Sequence, residues 1–327
     1  MSALRLNGPL LAGLVLLAVL GLALGETALD AGGYLRALQP GTPEAQILWD
    51  IRAPRIAAAA AVGAALGLAG AVMQGLLRNP LADPGVLGVS AGAGLGAALA
   101  ISAGLAALPG GVEAAALAAA LATGALLTGL AARFREPETL ILFGVALSAF
   151  AGALTSLIFN LSPSPIATSE ILAWLLGSVA NRDWGDLARA APPMLAGAGL
   201  CLYAARGLLM LTLGEEAAAL SGLPMARLRA AAVAGAALLT GAAVAMAGII
   251  GFVGLAAPHL VRAAAGADPA RTLTPSALAG AALLVGADLA GRLIPTDQEL
   301  KLGVVTALFG APLFALIAWR AARSWRG

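Results

Sequence analysis

Residues 51–84 read IRAPRIAAAAAVGAALGLAGAVMQGLLRNPLADP, a long apolar run with two prolines near its end. No charged side chain interrupts it between Arg55 and Arg78, and about 20 apolar residues are enough for one helix to cross a bilayer. Pro80 and Pro84 then prevent a regular helix. Because lipid cannot satisfy the polar groups of a broken backbone, such a segment must line a cavity, be buried in protein or turn at the aqueous surface. The stretch therefore predicts a membrane-spanning helix that ends in irregular backbone.

The composition places the whole chain in the membrane. Of its 327 residues, 60% are hydrophobic and 11% are charged, whereas about a quarter of a soluble domain is charged. The mean hydropathy of +0.92 leaves room for about ten crossings and little for a soluble catalytic domain. The 42 glycines fit helices that pack closely in lipid. The single Cys201 excludes an internal disulfide and a cysteine-based metal cluster.

We expect an all-α integral membrane protein with one transmembrane domain over residues 1–327 and about ten transmembrane helices. Glycines at 248, 251 and 254 divide an apolar run, residues 230–265, that is too long for one span. The segment 166–180 is too short to cross, so it is predicted to be an interfacial helix. The other spans are predicted at 9–25, 56–77, 86–108, 112–132, 139–161, 187–211, 276–293 and 302–319.

Arginines set the predicted orientation, because the cytoplasmic loops of membrane proteins carry the excess of Lys and Arg. With ten spans both termini lie on one side, and that side holds twelve of the 19 cations. We therefore predict a multi-pass protein with both termini in the cytoplasm. Because the arginines cluster at the ends of the spans, they do not indicate a nucleic-acid-binding surface, although the pI is near 9.2. The twelve are Arg5, Arg78, Arg133, Arg135, Arg206, Arg227, Arg229, Arg262, Arg271, Arg320, Arg323 and Arg326.

Few polar groups lie within the predicted spans. His259 is the only histidine, and without a visible second ligand a hinge or packing role beside Pro258 is favoured over metal or haem binding. Asp288 is costly in lipid and needs a partner, which Arg292, one helical turn away, can supply. We predict no metal site and no cofactor bound by this chain. A membrane-embedded enzyme would need clustered ionisable groups, while a passive or proton-coupled carrier stays open as an alternative.

A polar segment separates the sixth and seventh predicted spans. Residues 214–222 read GEEAAALSG. Glu215 and Glu216 suit the positive N-terminal end of a helix, and Gly222 suits its C-cap. Since charge at helix ends is ordinary, the residues alone favour a short solvated helix in a cytoplasmic segment of about residues 212–226.

Four stretches carry a family resemblance: residues 52–88, residues 214–222, GFVGLAAPH at 251–259 and GVVTALFGAP at 303–312. In this order they resemble the permeases of the iron-siderophore, haem and cobalamin family of ABC importers, and the resemblance covers nearly the whole chain. It implies the multi-helix fold of a type II ABC importer permease. Glu299, Leu300 and Lys301 stand where the family usually has Glu-Leu-Pro, so the loop there is expected to be built differently.

The resemblance also implies the function. We expect a permease subunit, not an enzyme, that carries an iron chelate, either a ferric siderophore or haem, across the bacterial inner membrane; cobalamin is the alternative. No phosphate-binding Gly-rich loop precedes the one lysine, Lys301, so ATP and Mg²⁺ are expected on a partner subunit. The implied partners are a second copy of this chain, two ABC ATPase subunits and a periplasmic or lipid-anchored substrate-binding protein, with membrane lipid around them and no nucleic acid.

Individual residues take implied roles from the resemblance. Arginines at the external span ends are expected to receive carboxylates of the binding protein, although on the residues alone they would snorkel to the interface. The docking arginines are Arg52, Arg55 and Arg292. The ATPase-coupling helix contains Gly214, Glu215, Glu216, Ala217, Leu220 and Gly222. The residues of the translocation path or its hinges are Gln74, Asn79, Pro80, Gly251, Gly254, Pro258 and His259.

Overall fold

The computed structural model describes residues 3–25, 27–134, 137–162, 164–265, 268–294 and 299–324. Within these ranges the chain forms fourteen α-helices and no β-strand. A π-helical turn, Gln46–Arg52, leads into α4, and 3₁₀ turns at Pro84–Leu87 and Leu105–Ala107 flank α5. The helices are α1 (Ala3–Ala23), α2 (Ala31–Arg36), α3 (Pro43–Ala45), α4 (Ala53–Leu76), α5 (Val89–Ser102), α6 (Gly111–Arg133), α7 (Pro137–Leu161), α8 (Pro165–Leu175), α9 (Trp184–Leu211), α10 (Glu215–Leu220), α11 (Met225–Ala247), α12 (Val253–Ala265), α13 (Pro269–Leu293) and α14 (Leu302–Ser324).

The predicted all-α membrane architecture is confirmed. Seven of the described helices are long and apolar enough to cross a membrane, namely α1, α4 with the turns before it, α6, α7, α9, α11 and α13. Shorter helices stand at the third, eighth and tenth predicted spans. Of these, α5 has 14 residues and α12 has 13, and the apolar part of α14 runs from Leu302 to Pro312.

Two predicted segments are too long. The third span was expected at 86–108, but α5 ends at Ser102 because the chain turns at Gly104, whose φ is +78°. The interfacial helix was expected at 166–180, but α8 ends at Leu175, shortly before Gly177 with a φ of +70°. Two cations of the orientation argument, Arg135 and Arg326, lie outside the described residues.

Small residues let the central helices approach closely, as the glycine content predicted. Most of α4 and α11 is buried, whereas few residues of α1 and α7 are buried. A Cβ atom added to Gly63 on α4 would lie 2.7 Å from the carbonyl carbon of Gly280 on α13. One added to Gly197 on α9 would lie 2.9 Å from the Gly235 carbonyl oxygen on α11. The backbones of these pairs therefore touch, which is how helices gain packing energy in lipid.

The predicted break in the run 230–265 is confirmed, since α11 ends at Ala247 and α12 begins at Val253. Beside the break three chain segments meet, residues 176–178, 247–249 and 302–303, which we call the junction. The Ser178 N–H donates to the Ala247 carbonyl at 2.8 Å, and the Leu302 N–H donates to the Gly177 carbonyl at 2.9 Å. A Cβ added at Gly303 would lie 2.7 Å from the Ile249 carbonyl oxygen, so the junction has no room for a side chain there.

The two ends of the bundle are defined here by α4, which begins at the upper end and ends at the lower end. Helix α1 ends at the upper end, because the Leu22 carbonyl accepts a hydrogen bond from Arg52, the residue directly before α4. Helix α9 ends at the lower end, where Leu208 lies near Gly75. The start of α1 and α10 therefore lie at the lower end. Helix α14 begins near the upper end, because Glu299 just before it pairs with Arg55 of α4, and it runs from there towards the lower end.

Candidate functional site

The polar segment at the lower end forms the predicted short helix, with its C-cap one residue earlier than predicted, at Ser221. Gly214 has a φ of +101°, α10 covers six residues, and Gly222, directly after the C-cap Ser221, has a φ of +75°. The Ala218 N–H donates to the Gly214 carbonyl at 3.0 Å, and the Ser221 hydroxyl donates to the Ala218 carbonyl at 2.6 Å. Both ends of this short helix are thus fixed by local bonds.

Helix α10 presents an apolar side chain to solvent. Leu220 is 88% exposed, whereas Ala218, on the other side of the helix, is buried. Ala217 and Glu216 are also exposed. An exposed leucine on a rigid helix, at the aqueous end of a membrane bundle, is a surface that gains free energy when a partner covers it.

The first predicted docking arginine, Arg52, is buried at the upper end. Its guanidinium donates to the Leu22 carbonyl at 2.7 Å and also to the Ala23 and Thr27 carbonyls. Carbonyls at the C-terminal end of a helix have no partner within that helix, so Arg52 supplies the missing donors where α1 ends.

The second, Arg55, joins α4 to α13 and to the segment before α14. Its Nε donates to Asp288 Oδ1 at 2.9 Å, and its Nη2 lies 2.6 Å from Glu299 Oε1. Asp288 also lies 3.1 Å from Arg292 Nε, so the predicted pairing of Asp288 with Arg292 is confirmed. Sequence reasoning missed the bonds from Arg55 to both acids. The structure thus gives all three arginines internal partners, and docking by them stays a prediction.

Two predicted path residues meet towards the lower end. The buried Gln74 side chain donates to the Gly254 carbonyl at 3.4 Å and accepts a hydrogen bond from Arg262. A Cβ added to Gly70 would lie 2.7 Å from the Gly254 Cα. The end of α4 is therefore fixed to α12, and Arg262, which sequence reasoning did not select, holds the amide that makes the contact.

The loop after α4 is irregular, as its prolines predicted. Arg78 has a φ of +48°. Asn79 Oδ1 accepts from the Leu81 N–H at 2.9 Å, and Pro80 is exposed. Asp83 Oδ1 accepts from the Gly85 N–H at 2.7 Å and caps the 3₁₀ turn. Burial raises the pKa of the Asp83 carboxyl, and the hydrogen bond from Gly85 opposes that shift.

Gly251 lines two cavities. One, of about 320 Å³, is also lined by Asp83, Thr240 and Gly254. The other, of about 580 Å³, lies beside the junction and is lined mainly by apolar side chains, including Val304 and Leu308 of α14. Gly251 and Gly254 therefore both line a cavity next to the break between α11 and α12.

The remaining two predicted path residues lie elsewhere. Pro258 is buried inside α12, and His259 follows it without interrupting that helix. The irregular backbone lies before them, at residues 248–252, so their hinge role stays a prediction. Among the described residues no group of three or more His, Cys, Asp and Glu side chains is arranged to hold a metal ion.

Comparison with known proteins decides the family. A family model, the FecCD transport family, matches residues 13–320. This chain belongs to the FecCD transport family. It is 45% identical over 287 residues to YvrB of Bacillus subtilis (strain 168), an uncharacterized ABC transporter permease protein, with 86% of this chain and 80% of YvrB covered.

A second relative and a solved structure are similar to this chain over nearly its whole length. BtuC of Salmonella schwarzengrund (strain CVM19633), a vitamin B12 import system permease protein, is 40% identical over 314 residues and covers 95% of this chain and 94% of BtuC. A solved structure described as a metal-chelate type ABC transporter in an inward-facing conformation superposes with a TM-score of 0.86 and 33% identity, covering 97% of this chain and 99% of that one. The FecCD chain described here is therefore an ABC importer permease.

Proposed function

We propose that this permease imports a large complex of a metal with an organic ligand, at the expense of ATP hydrolysed by separate subunits. The observation that carries the proposal is α10, a fixed helix with an exposed Leu220 at the end of the bundle where the described chain starts and finishes. In an ABC importer permease this is a surface for the ATPase subunit. Movement of the ATPase would then shift the permease between two states that it stabilises differently.

The distribution of arginines supports a proposed orientation of the permease in the membrane. Twelve of the 19 cations were assigned to the side that carries both termini, and the positive-inside rule places that side in the cytoplasm. The lower end, with α10, then faces the cytoplasm of a bacterial cell, and the upper end, with Arg55 and Glu299, faces the periplasm. We propose that a substrate-binding protein docks at this upper end.

A second copy of the chain is proposed to complete the translocation path. The cavity of about 580 Å³ is lined by Leu308 of α14, which is largely exposed together with Phe309. In a membrane span such an exposed apolar face is covered by lipid or by another helix. Two copies facing each other across α14 would enclose one wide, apolar path, so selectivity would rest mainly with the binding protein.

The substrate is proposed to be an iron chelate, a ferric siderophore or haem, or else cobalamin. Resemblance to a metal-chelate type transporter supports an iron chelate. The match to BtuC over 95% of the chain supports cobalamin. The test is uptake by proteoliposomes that hold this chain with its ATPase and binding protein, offered haem, ferric siderophores and cobalamin in turn. Uptake of one of them identifies the substrate, and uptake of none overturns this substrate class.

A further inference from the structure

Arg55 holds two carboxylates that differ in their access to solvent. Its Nη2 lies 2.8 Å from Asp288 Oδ1 and 2.6 Å from Glu299 Oε1. The Asp288 side chain is 3% exposed, whereas that of Glu299 is 30% exposed and that of Arg55 itself is 17% exposed. One acid is therefore fixed inside the protein, and the other lies at the surface of the upper end.

Glu299 also connects Arg55 to the junction. Its second oxygen, Oε2, lies 3.3 Å from the hydroxyl of Ser178, which donates to it. The backbone of Ser178 is bonded to Ala247, and Leu302, three residues after Glu299, is bonded to Gly177. Glu299 thus holds the start of α14 against α4 on one side and against the junction on the other.

We propose that Glu299 occupies the place on Arg55 that a carboxylate of the docking protein takes, and that exchange of the two acids releases the start of α14 from Ser178. This inference rests on the proposed docking at the upper end. The exchange replaces one anion by another, so Arg55 never loses its charge partner. Asp288 keeps the guanidinium in place meanwhile, through the bond from Nε at 2.9 Å.

The other acid of the cluster is unsuited to such an exchange. Asp288 is buried between Arg55 and Arg292, and removing one member of a buried ion pair leaves an uncompensated charge. A partly exposed ion pair such as that of Glu299, in contrast, is weak and competes with water and salt. Arg52 is engaged with the carbonyls at the end of α1. The exchangeable contact of this cluster is therefore the one between Arg55 and Glu299.

Docking would then change the shape of the translocation path through α14. When Glu299 leaves, Ser178 loses its contact with the segment before α14. Among the described residues, the hydrogen bonds that then hold α14 at the junction are the backbone bonds from Leu302 and Gly303. Since Val304 and Leu308 of α14 line the cavity of about 580 Å³, movement at the start of α14 changes the shape of that cavity. The docked protein stabilises the released state by the contact it makes only there.

The test is the affinity of the binding protein for the full permease complex in nanodiscs, measured for wild type, Glu299→Gln and Glu44→Gln. Glu44 is the matched control, because it pairs with Arg36 at 2.7 Å at the same upper end. We expect Glu299→Gln to lower Kd about 3- to 10-fold, because the competing carboxylate is gone, and Glu44→Gln to leave it unchanged. Equal effects of both changes, or weaker docking by Glu299→Gln, would overturn the exchange.

A second pair of measurements separates this inference from the docking proposal. In the variant Arg55→Gln, which leaves Asp288 paired with Arg292, we expect docking to weaken about 10-fold or more. If this variant docks like wild type, docking at Arg55 is wrong. If it docks weakly while Glu299→Gln has no effect, docking stands and the exchange alone fails. In addition, the Leu302 and Gly303 amides should exchange hydrogen faster in the docked complex; unchanged rates would contradict release of α14.

Discussion

Truncating Leu220 tests the coupling surface directly. Leu220→Ala removes three carbon atoms from a residue that is 88% exposed in the free permease. Burial contributes about 0.8 kcal/mol per carbon, so an ATPase groove that covers Leu220 loses about 2 kcal/mol, which is about 30-fold in Kd. Folding should be unaffected, because the side chain makes few contacts within the chain. The assay is binding of the isolated ATPase subunit to the permease in nanodiscs.

The control for this change is Leu213→Ala. Leu213 is 67% exposed and stands at the same lower end, one residue before Gly214 and outside α10. We expect its truncation to change the ATPase affinity less than threefold. If Leu220→Ala binds the ATPase as tightly as wild type, or if both truncations weaken binding equally, α10 is not the coupling helix.

Three further predictions concern stability and orientation. Asp288→Asn should destabilise the permease by about 3 kcal/mol, because its arginine neighbours keep their charge without their shared anion; an unchanged melting temperature in detergent contradicts this. Gly303→Ala should cost about 1–3 kcal/mol by overpacking the junction, whereas Gly129→Ala, which meets no atom within 4 Å, should be neutral; equal melting temperatures would refute the difference. A Leu213→Cys variant in a Cys201→Ala background should react with an impermeant maleimide only from the cytoplasmic side, and labelling from the periplasm would reverse the orientation.

Local signals account for the parts of the site that the sequence predicted. The pairing of Asp288 with Arg292 spans one helical turn, so the spacing alone brings the two side chains together. Helix α10 and the glycine that follows it, Gly222, are likewise set by neighbouring residues. The break after Ala247 follows from Gly248, whose φ of +71° suits a residue without a side chain.

Contacts between distant segments could not be read from one sequence. Arg55 and Asp288 are separated by 233 positions, and helical periodicity says nothing about which helices become neighbours. An arginine at a span end is equally suited to snorkelling, docking or an internal pair. The same reason explains why Arg262 was missed, since its partner Gln74 lies on another helix. The length of α5 was overestimated because apolar residues continue beyond Gly104.

In our proposal, transport through this permease is driven by ATP hydrolysed on another subunit. The most direct measurement is uptake of the identified ligand by proteoliposomes that contain the permease, its binding protein and either the active ATPase or a variant that binds ATP without hydrolysing it. We expect sustained uptake only with the active ATPase and with ATP on its side of the membrane. Equal uptake without hydrolysis, or by the permease alone, would contradict the importer account and support a passive or proton-coupled carrier.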